Sequence, residues 1–588
     1  MRFVWAVAAF FLAAILIGTG IAQRTLFDGA DSDTATIATD DTAPYLLIDG
    51  TVMSMMSGTQ TLDASGDDGV VVAYGRTADL TAWLADQEYT SATLDTAGAV
   101  TTETVRPEDE AAATVRSPQG SDLWLGEYDD PTNVQTALQI PAGMSVLVAS
   151  DGSAPAPDSV TISWPRANTT PWAGPLIVLG GLFLVAGITL YVLGIRHARR
   201  SRGPRRKAPP PLEATQPIDI AVESGGTKGV ISATSRRRSL GRRRLIAAPL
   251  VLVVPLAFAG CSADAWPQFA ATPEATTTTT VVDADDQQQP AVTQAQAQQI
   301  VQRISDTVAQ ADANLDADLA ATRLSGAALA ARQTNYTLRS SISDYTALAA
   351  VPSGDLQIVL PQAYDDWPRT VLAVVDTDTT STMMMLTQDD PWSNYKLVYV
   401  GDLGGSTELP ALAPVYIGAA QVPPDSTFLT ITPDSLAAAY ADVLSNGTSS
   451  TYAALFDEDT DTFSAQVASD RQTRLDEFNS TASSTGSLTF GAEAGSETAL
   501  ALATLESGAI VAVTVNETDT VTPLDSDVVI KFDDNPTVQA LTGASESQTG
   551  VTTTFVDQLF FYVPAQGSTD KIRMLGYSSS ILSAKVIS

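Results

Sequence analysis

The 588-residue sequence is poor in the side chains that build most catalytic and metal centres: it has one cysteine, Cys261, and one histidine, His197. A lone cysteine forbids a disulfide within the chain, so every domain must fold by core packing alone. Zinc sites made of Cys and His are excluded. His197 directly follows an apolar run in "YVLGIRHARR", which leaves histidine-dependent triads no source of imidazole in the large domains beyond that run. Positive charge is scarce as well, 32 Lys and Arg against 67 Asp and Glu, and it is segregated. Between Arg196 and Arg244 there are 14 Lys or Arg against three acids, Glu213, Asp219 and Glu223; this net +11 leaves −46 of the overall −35 on the remainder. A membrane between two compartments produces such a division, because basic residues beside apolar segments stay on the cytoplasmic side. The basic stretch lacks interleaved aromatics, so nucleic acid is not an expected partner.

Three apolar segments are present. Phe3 to Ala22 would be about 30 Å long as a helix, the thickness of a bilayer core. No A-x-A cleavage site follows it in "GTGIAQRTLF", so residues 1–24 are read as a retained transmembrane helix rather than a signal peptide. Trp172 to Ile195 has an aromatic residue near each end and a cationic stop at Arg196 to Lys207, giving a second crossing over 171–195. Leu245 to Gly260, with 16 residues and two prolines, is short for a span and typical of an export-signal stem. Residues 245–260 are read as a third transmembrane helix or an internal lipoprotein signal. Cys261, preceded by "FAG", is the lipidation candidate: either it ends a helix, or it is lipidated after a cleavage that releases residues 261–588 as a separate lipoprotein.

The expected fold class is therefore a membrane protein with three transmembrane segments, a small β-rich extracytoplasmic domain and a larger α+β extracytoplasmic domain. Residues 25–170 alternate short apolar runs ("PYLLIDGTV", "GVVVAY", "MSVLVAS", "SVTISW") with Gly, Pro, Asp and Ser clusters, the pattern of short antiparallel strands in a sandwich or barrel. One helix is expected in "TADLTAWLADQEY", capped by Thr77, with Leu80, Trp83 and Leu84 on one face. Residues 196–244 form a Pro-, Gly- and Arg-rich cytoplasmic loop without apolar periodicity, expected to be disordered and to hold anionic lipid headgroups at roughly 1 kcal/mol per basic residue. Ser239 in "RRRSL" is a phosphorylation candidate whose phosphate would weaken that adhesion. Residues 261–295 are a low-complexity spacer.

Beyond the spacer, Ile300, Ile304 and Val308 recur at helical spacing before a series of strands, an α+β unit over 296–425. Helix signals at "TPDSLAAAYADVLSNG", capped by Thr432 or Asp434, and at "DTFSAQVASDRQTRLDEF" precede a second set of strands, a further α+β unit over 426–588. These two helix-then-sheet units look like a tandem of nuclear-transport-factor or cystatin-like folds. The layout as a whole, with "MRFVWAVAAFFLAAILIGTGIAQRT" in front and "GCSAD" before a Thr-rich spacer, resembles uncharacterised membrane and lipoprotein families of the actinobacterial cell envelope. That resemblance implies no catalytic residues for this chain.

Among acidic candidates, Asp457, Asp459 and Asp461 take the first, third and fifth places of a calcium loop, but Thr462 replaces the required glycine and Ala468 the bidentate glutamate, so a solvated turn is expected. Asp376 and Asp378 in "TVLAVVDTDTT" resemble the metal-binding D-x-D of nucleotide-sugar glycosyltransferases, yet no nucleotide-binding βαβ unit precedes them. Asp365 and Asp366 beside Trp367, and Asp389 and Asp390 beside Trp392, suggest carbohydrate chemistry; neighbours on a strand point to opposite faces, so turn formation is the better account. No cofactor is expected. The expected function is that of a non-enzymatic, multi-pass cell-membrane protein that binds or organises envelope proteins or glycans. The alternatives are a glycosyltransferase or glycan-modifying enzyme using Asp376 and Asp378, and a lipoprotein module for a small or lipidic ligand.

Overall fold

The computed structural model describes residues 2–25, 32–39, 42–107, 116–166, 172–200, 289–377, 380–405 and 407–588. The chain divides into two units, Met1–Asp33 with Pro165–Val281, and Thr34–Trp164 with Val282–Ser588.

In the first unit, helices α1 (Arg2–Thr25) and α4 (Ala173–Arg200) are each long and apolar enough to cross a membrane. Small residues recur every seventh position on both, Ala6, Ala13 and Gly20 on one and Ala173, Gly180, Gly187 and Gly194 on the other, and all are buried. The helices pack antiparallel along this seam, with Gly20 against Ala173 and Ile177, Gly180 against Ala13 and Ile17, and Gly194 against Phe3. Small residues let the backbones approach closely, which is how helices associate where burial of apolar surface gives no driving force. Large apolar residues such as Trp5, Phe11 and Leu182 point outward and are exposed.

The second unit has two lobes. In the β lobe, β1 (Ser32–Ile37), β10 (Ser159–Pro165), β3 (Gln60–Ser65) and β8 (Asn133–Leu138) form one sheet in that order. The other runs β6 (Val100–Val105), β5 (Tyr89–Leu94), β2 (Tyr45–Ile48), β9 (Met144–Ala149), β4 (Val70–Arg76) and β7 (Gly126–Asp130). Period-two alternation sends Leu46, Ile48, Val72, Val146 and Val148 into a core with Leu62, Val160, Ile162 and Trp164. The opposite residues, Tyr45, Leu47, Ala73 and Leu147, pack against Leu80 and Trp83 of α3 (Thr77–Trp83) and against Trp124. Two details differ from the sequence reading. β2 and β5 are parallel, since the chain between them crosses through α2 (Gly50–Met53), β3, β4 and α3 before returning. The cap of α3 is Arg76, one residue earlier than Thr77, and its guanidinium binds Asp79 instead of a backbone amide.

The C-terminal lobe begins with α5 (Gln294–Asn314), opened by a reciprocal Thr293–Gln296 capping box, followed by α6 (Ala317–Ala321) and α7 (Gly326–Ser341). Strands β11 (Leu356–Pro361), β12 (Arg369–Asp376), β13 (Ser381–Gln388) and β14 (Lys396–Leu403) make an antiparallel meander. After α8 (Pro433–Asn446) and α9 (Thr462–Thr481) come β15 (Gly486–Ala494), β16 (Leu500–Ala503), β17 (Ala509–Pro523), the short β18 (Ile530–Lys531), α10 (Pro536–Thr542), β19 (Glu546–Ser547), β20 (Val551–Val563) and β21 (Arg573–Val586). The strands of both helix-then-sheet segments belong to one sheet, β11-β12-β13-β14-β21-β20-β17-β15, with β16 on β17. The last strands of the two segments meet antiparallel through Asp402↔Tyr577 and Leu403↔Gly576. Glycine is required there, because a Cβ on Gly576 would stand 2.5 Å from the Asp402 carbonyl oxygen. One face of the first strand set packs on α5 and α7, one face of the second on α8 and α9, and the remaining faces share a core that includes Leu372, Met385, Tyr399, Ile510 and Phe560.

The two lobes touch through buried charge. Asp79 of the β lobe binds Arg76 at 2.8 and 2.9 Å and, on the C-terminal lobe, Arg369 at 2.8 Å. Asp122, its side chain fully buried, binds Arg303 at 3.1 Å and Arg323 at 2.5 Å and accepts from the Tyr395 amide at 2.9 Å, all three on the C-terminal lobe.

Candidate functional site: a carboxylate-floored groove beside α9

Helix α9 has a poor apolar stripe for its length, with only Phe463 and Val467 buried. The same face continues as Arg471 and Arg474, at i+4 and i+7 from Val467, so it is apolar in its first half and cationic in its second. The sheet beneath changes character in step. Along β17 the face toward α9 reads Val513, Val515, Glu517, Asp519, and along β20 it reads Phe561, Leu559, Asp557, Phe555. Arg471 binds Glu517 at 2.6 Å and donates to the carbonyls of Leu444 and Gly491. Arg474 pairs with Asp519 and lies 5.3 Å from the Phe490 ring centroid and 5.8 Å from that of Phe555.

Asp557 is wholly buried, and no hydrogen bond of good geometry reaches either of its oxygens. Burial first, then the neighbouring Glu517 charge, push its pKa up to about 8, so the carboxyl holds a proton at neutral pH. Burial raises Glu517 too, against the pull of Arg471, and raises Asp519 against that of Arg474. Two recesses flank this cluster, one of about 890 Å³ on the α7 and α10 side and one of about 360 Å³ along α9, and they share Arg474, Phe555 and Ser579. Together they make a groove whose floor offers hydroxyls (Thr553, Ser579, Ser580), carboxylates and aromatic rings. A third recess of about 730 Å³ lies across α9, between Leu444, Arg471 and Phe490. Such a lining can accept and donate hydrogen bonds to a polar ligand and stack against its flat faces.

The acidic residues singled out in the sequence do not converge on this groove. Asp376 is exposed at the end of β12, opposite Ser381 in a tight hairpin where the Thr377 hydroxyl donates to the Thr380 carbonyl; Asp378 lies outside the described residues. Asp461 caps α9 at the Ser464 amide and accepts from Tyr440 at 2.7 Å. Among the described residues no three Asp, Glu, His or Cys are grouped to hold a metal. The Asp365 and Asp366 carbonyls accept from Arg369, and Asp390 accepts from the amides of Trp392 and Ser393. Trp392 reaches the β lobe, donating to the Trp83 carbonyl at 3.0 Å. His197 is exposed on α4. Cys261, Ser239 and the third apolar segment, 245–260, lie outside the described residues. Of the residues that sequence reasoning missed, Asp79, Glu517 and Asp557 share one signal, an acid where the apolar pattern calls for an inward residue, while Asp122 sits in a turn before β7 and carries no such signal.

Residues 288–586, about half of the chain, match the family model described as Domain of unknown function (DUF8094). The chain belongs to this family. No curated protein and no solved structure matches it. The DUF8094 match spans both strand sets, the groove and the arginines that grip the β lobe, so it treats the whole C-terminal lobe as one domain.

Proposed function

We propose that this DUF8094 protein is a non-enzymatic, membrane-anchored binding protein of the cell envelope. It crosses the membrane three times, holds both lobes outside and organises envelope glycans or proteins through the groove beside α9. The observation that carries this reading is one of parity. The β lobe lies between α1 and α4 in sequence, and α4 returns the chain to the side where α1 began. The C-terminal lobe, 89 or more residues after α4, is nevertheless packed on the β lobe through buried ion pairs. Two lobes in such contact share a compartment, which, if α1 and α4 both span, supports one further crossing in the segment between Arg200 and Gln289. The apolar segment 245–260 is the stretch suited to do so, and the basic residues then fall on the cytoplasmic side at every crossing.

Binding is supported by the groove's mixture of hydroxyls, paired charges and aromatic rings, set on rigid strands. Hydrogen exchange on the detergent-solubilised full chain tests it, with soluble cell-wall glycan fragments and with envelope-lipid vesicles as probes. Slower exchange in 462–481, 551–563 and 573–586 with either probe is the expected result. Unchanged exchange with both would refute a binding role for the groove.

A further inference from the structure

We infer that the two lobes of the second unit hold one another without the covalent link between them, so that a chain cut between residues 201 and 288 stays together as a two-piece assembly. Each lobe has its own apolar core, Leu46, Val72, Val148 and Ile162 in one and the helix-covered sheet in the other. Trp367 of the C-terminal lobe packs on the β lobe's second core, which includes Tyr45, Leu47 and Trp83, so apolar contact adds to the junction. What joins them is complementary in charge: the β lobe contributes the carboxylates Asp79 and Asp122, and the C-terminal lobe contributes Arg303, Arg323 and Arg369. Arg369 is wholly buried and also accepted by the Asp365 and Asp366 carbonyls, so its guanidinium is held ready for Asp79.

Further bonds run both ways across the junction. Gln296 donates to the Leu123 carbonyl at 3.0 Å, the Asp122 amide donates to Asn394 at 3.2 Å, and Arg76 donates to the Pro290 carbonyl at 3.0 Å. The Arg116 guanidinium of the β lobe stands 4.9 Å from the Trp392 ring centroid, on the other lobe. Desolvated charge pairs around an aromatic anchor are the features that make an interface between separate chains durable. The consequence for Cys261 rests on the proposed topology: cleavage before it would yield a lipid-anchored DUF8094 domain and a helix-pair-anchored β lobe that remain partners.

The test places a sequence-specific protease site in the Thr276–Thr280 run of the full-length chain, cuts the detergent-solubilised protein and separates it by size. The pieces are expected to co-elute one to one. Asp122→Asn, which keeps the side-chain shape, combined with Asp79→Asn should weaken their affinity at least about 100-fold, while Asp158→Ala, an exposed control, leaves it unchanged. Circular dichroism of each released piece reports that both still fold. Separation of the cut wild-type pieces, or co-elution unaffected by the double substitution, would overturn the inference. The measurement is made in detergent, so its outcome does not depend on how many times the chain crosses a membrane.

Discussion

Asp557 is the residue whose chemistry is most altered by its surroundings. Its carboxyl is raised from an ordinary 3.8 to about 8 by burial and by Glu517, so between about pH 4 and pH 8 the folded chain carries a proton that the unfolded chain has released. Its contribution to stability is therefore complete below pH 4, declines through that window and is lost above pH 8. Asp557→Asn removes the ionisation while keeping the shape. The advantage of the variant over wild type in melting temperature is expected to be small at pH 5 and to grow by about 3 °C or more between pH 5 and pH 9, read by differential scanning calorimetry. The strand around it was legible in "TTFVDQLFFYV", because apolar alternation marks a strand whatever partner it finds. The role of the acid was not, since its neighbours Glu517 and Ser579 lie 40 and 22 residues away along the chain and are brought in by register alone.

At the scale of elements, α1 and α4 show how much periodicity can carry. Their lengths marked them as spans, but the seven-residue recurrence of Ala and Gly acquires meaning only when the two helices are set antiparallel, with Gly180 on Ala13 and Gly20 on Ala173. A Cβ on Gly180 would stand 2.6 Å from Ile17, so Gly180→Leu should force the helices apart at a cost of about 1–3 kcal/mol, while Gly181→Leu, where the space is open, costs little. Cysteine cross-linking of Phe10→Cys with Gly187→Cys, in a Cys261→Ala background, reports the difference: efficient in that background and with Gly181→Leu added, and largely lost with Gly180→Leu added. Helix α9 was legible as a helix in "DTFSAQVASDRQTRLDEF", though its Asp461 cap was read as part of a solvated turn, whereas the β14–β21 junction was not legible. Two residue pairs and a close-packed glycine leave no signature in local sequence.

For the whole molecule, the proposed topology rests on two features: composition, with a basic middle between two acidic parts, and the buried ion pairs between the lobes, which keep the two lobes on one side of any membrane. Trp392 and Asn394, which follow the turn-forming Asp389 and Asp390, belong to the contact between the lobes, which no reading of either segment alone could anticipate, because the partner lies some 270 to 310 residues away along the chain. The most direct measurement replaces Cys261 by Ala and places a single cysteine at Ser153 in the β lobe, Ser239 in the basic stretch or Ser568 in the C-terminal lobe. An impermeant maleimide applied to intact cells should label positions 153 and 568 alike, and position 239 only after the membrane is opened. Labelling that separates 153 from 568, or that reaches 239 in intact cells, would contradict the three-crossing account.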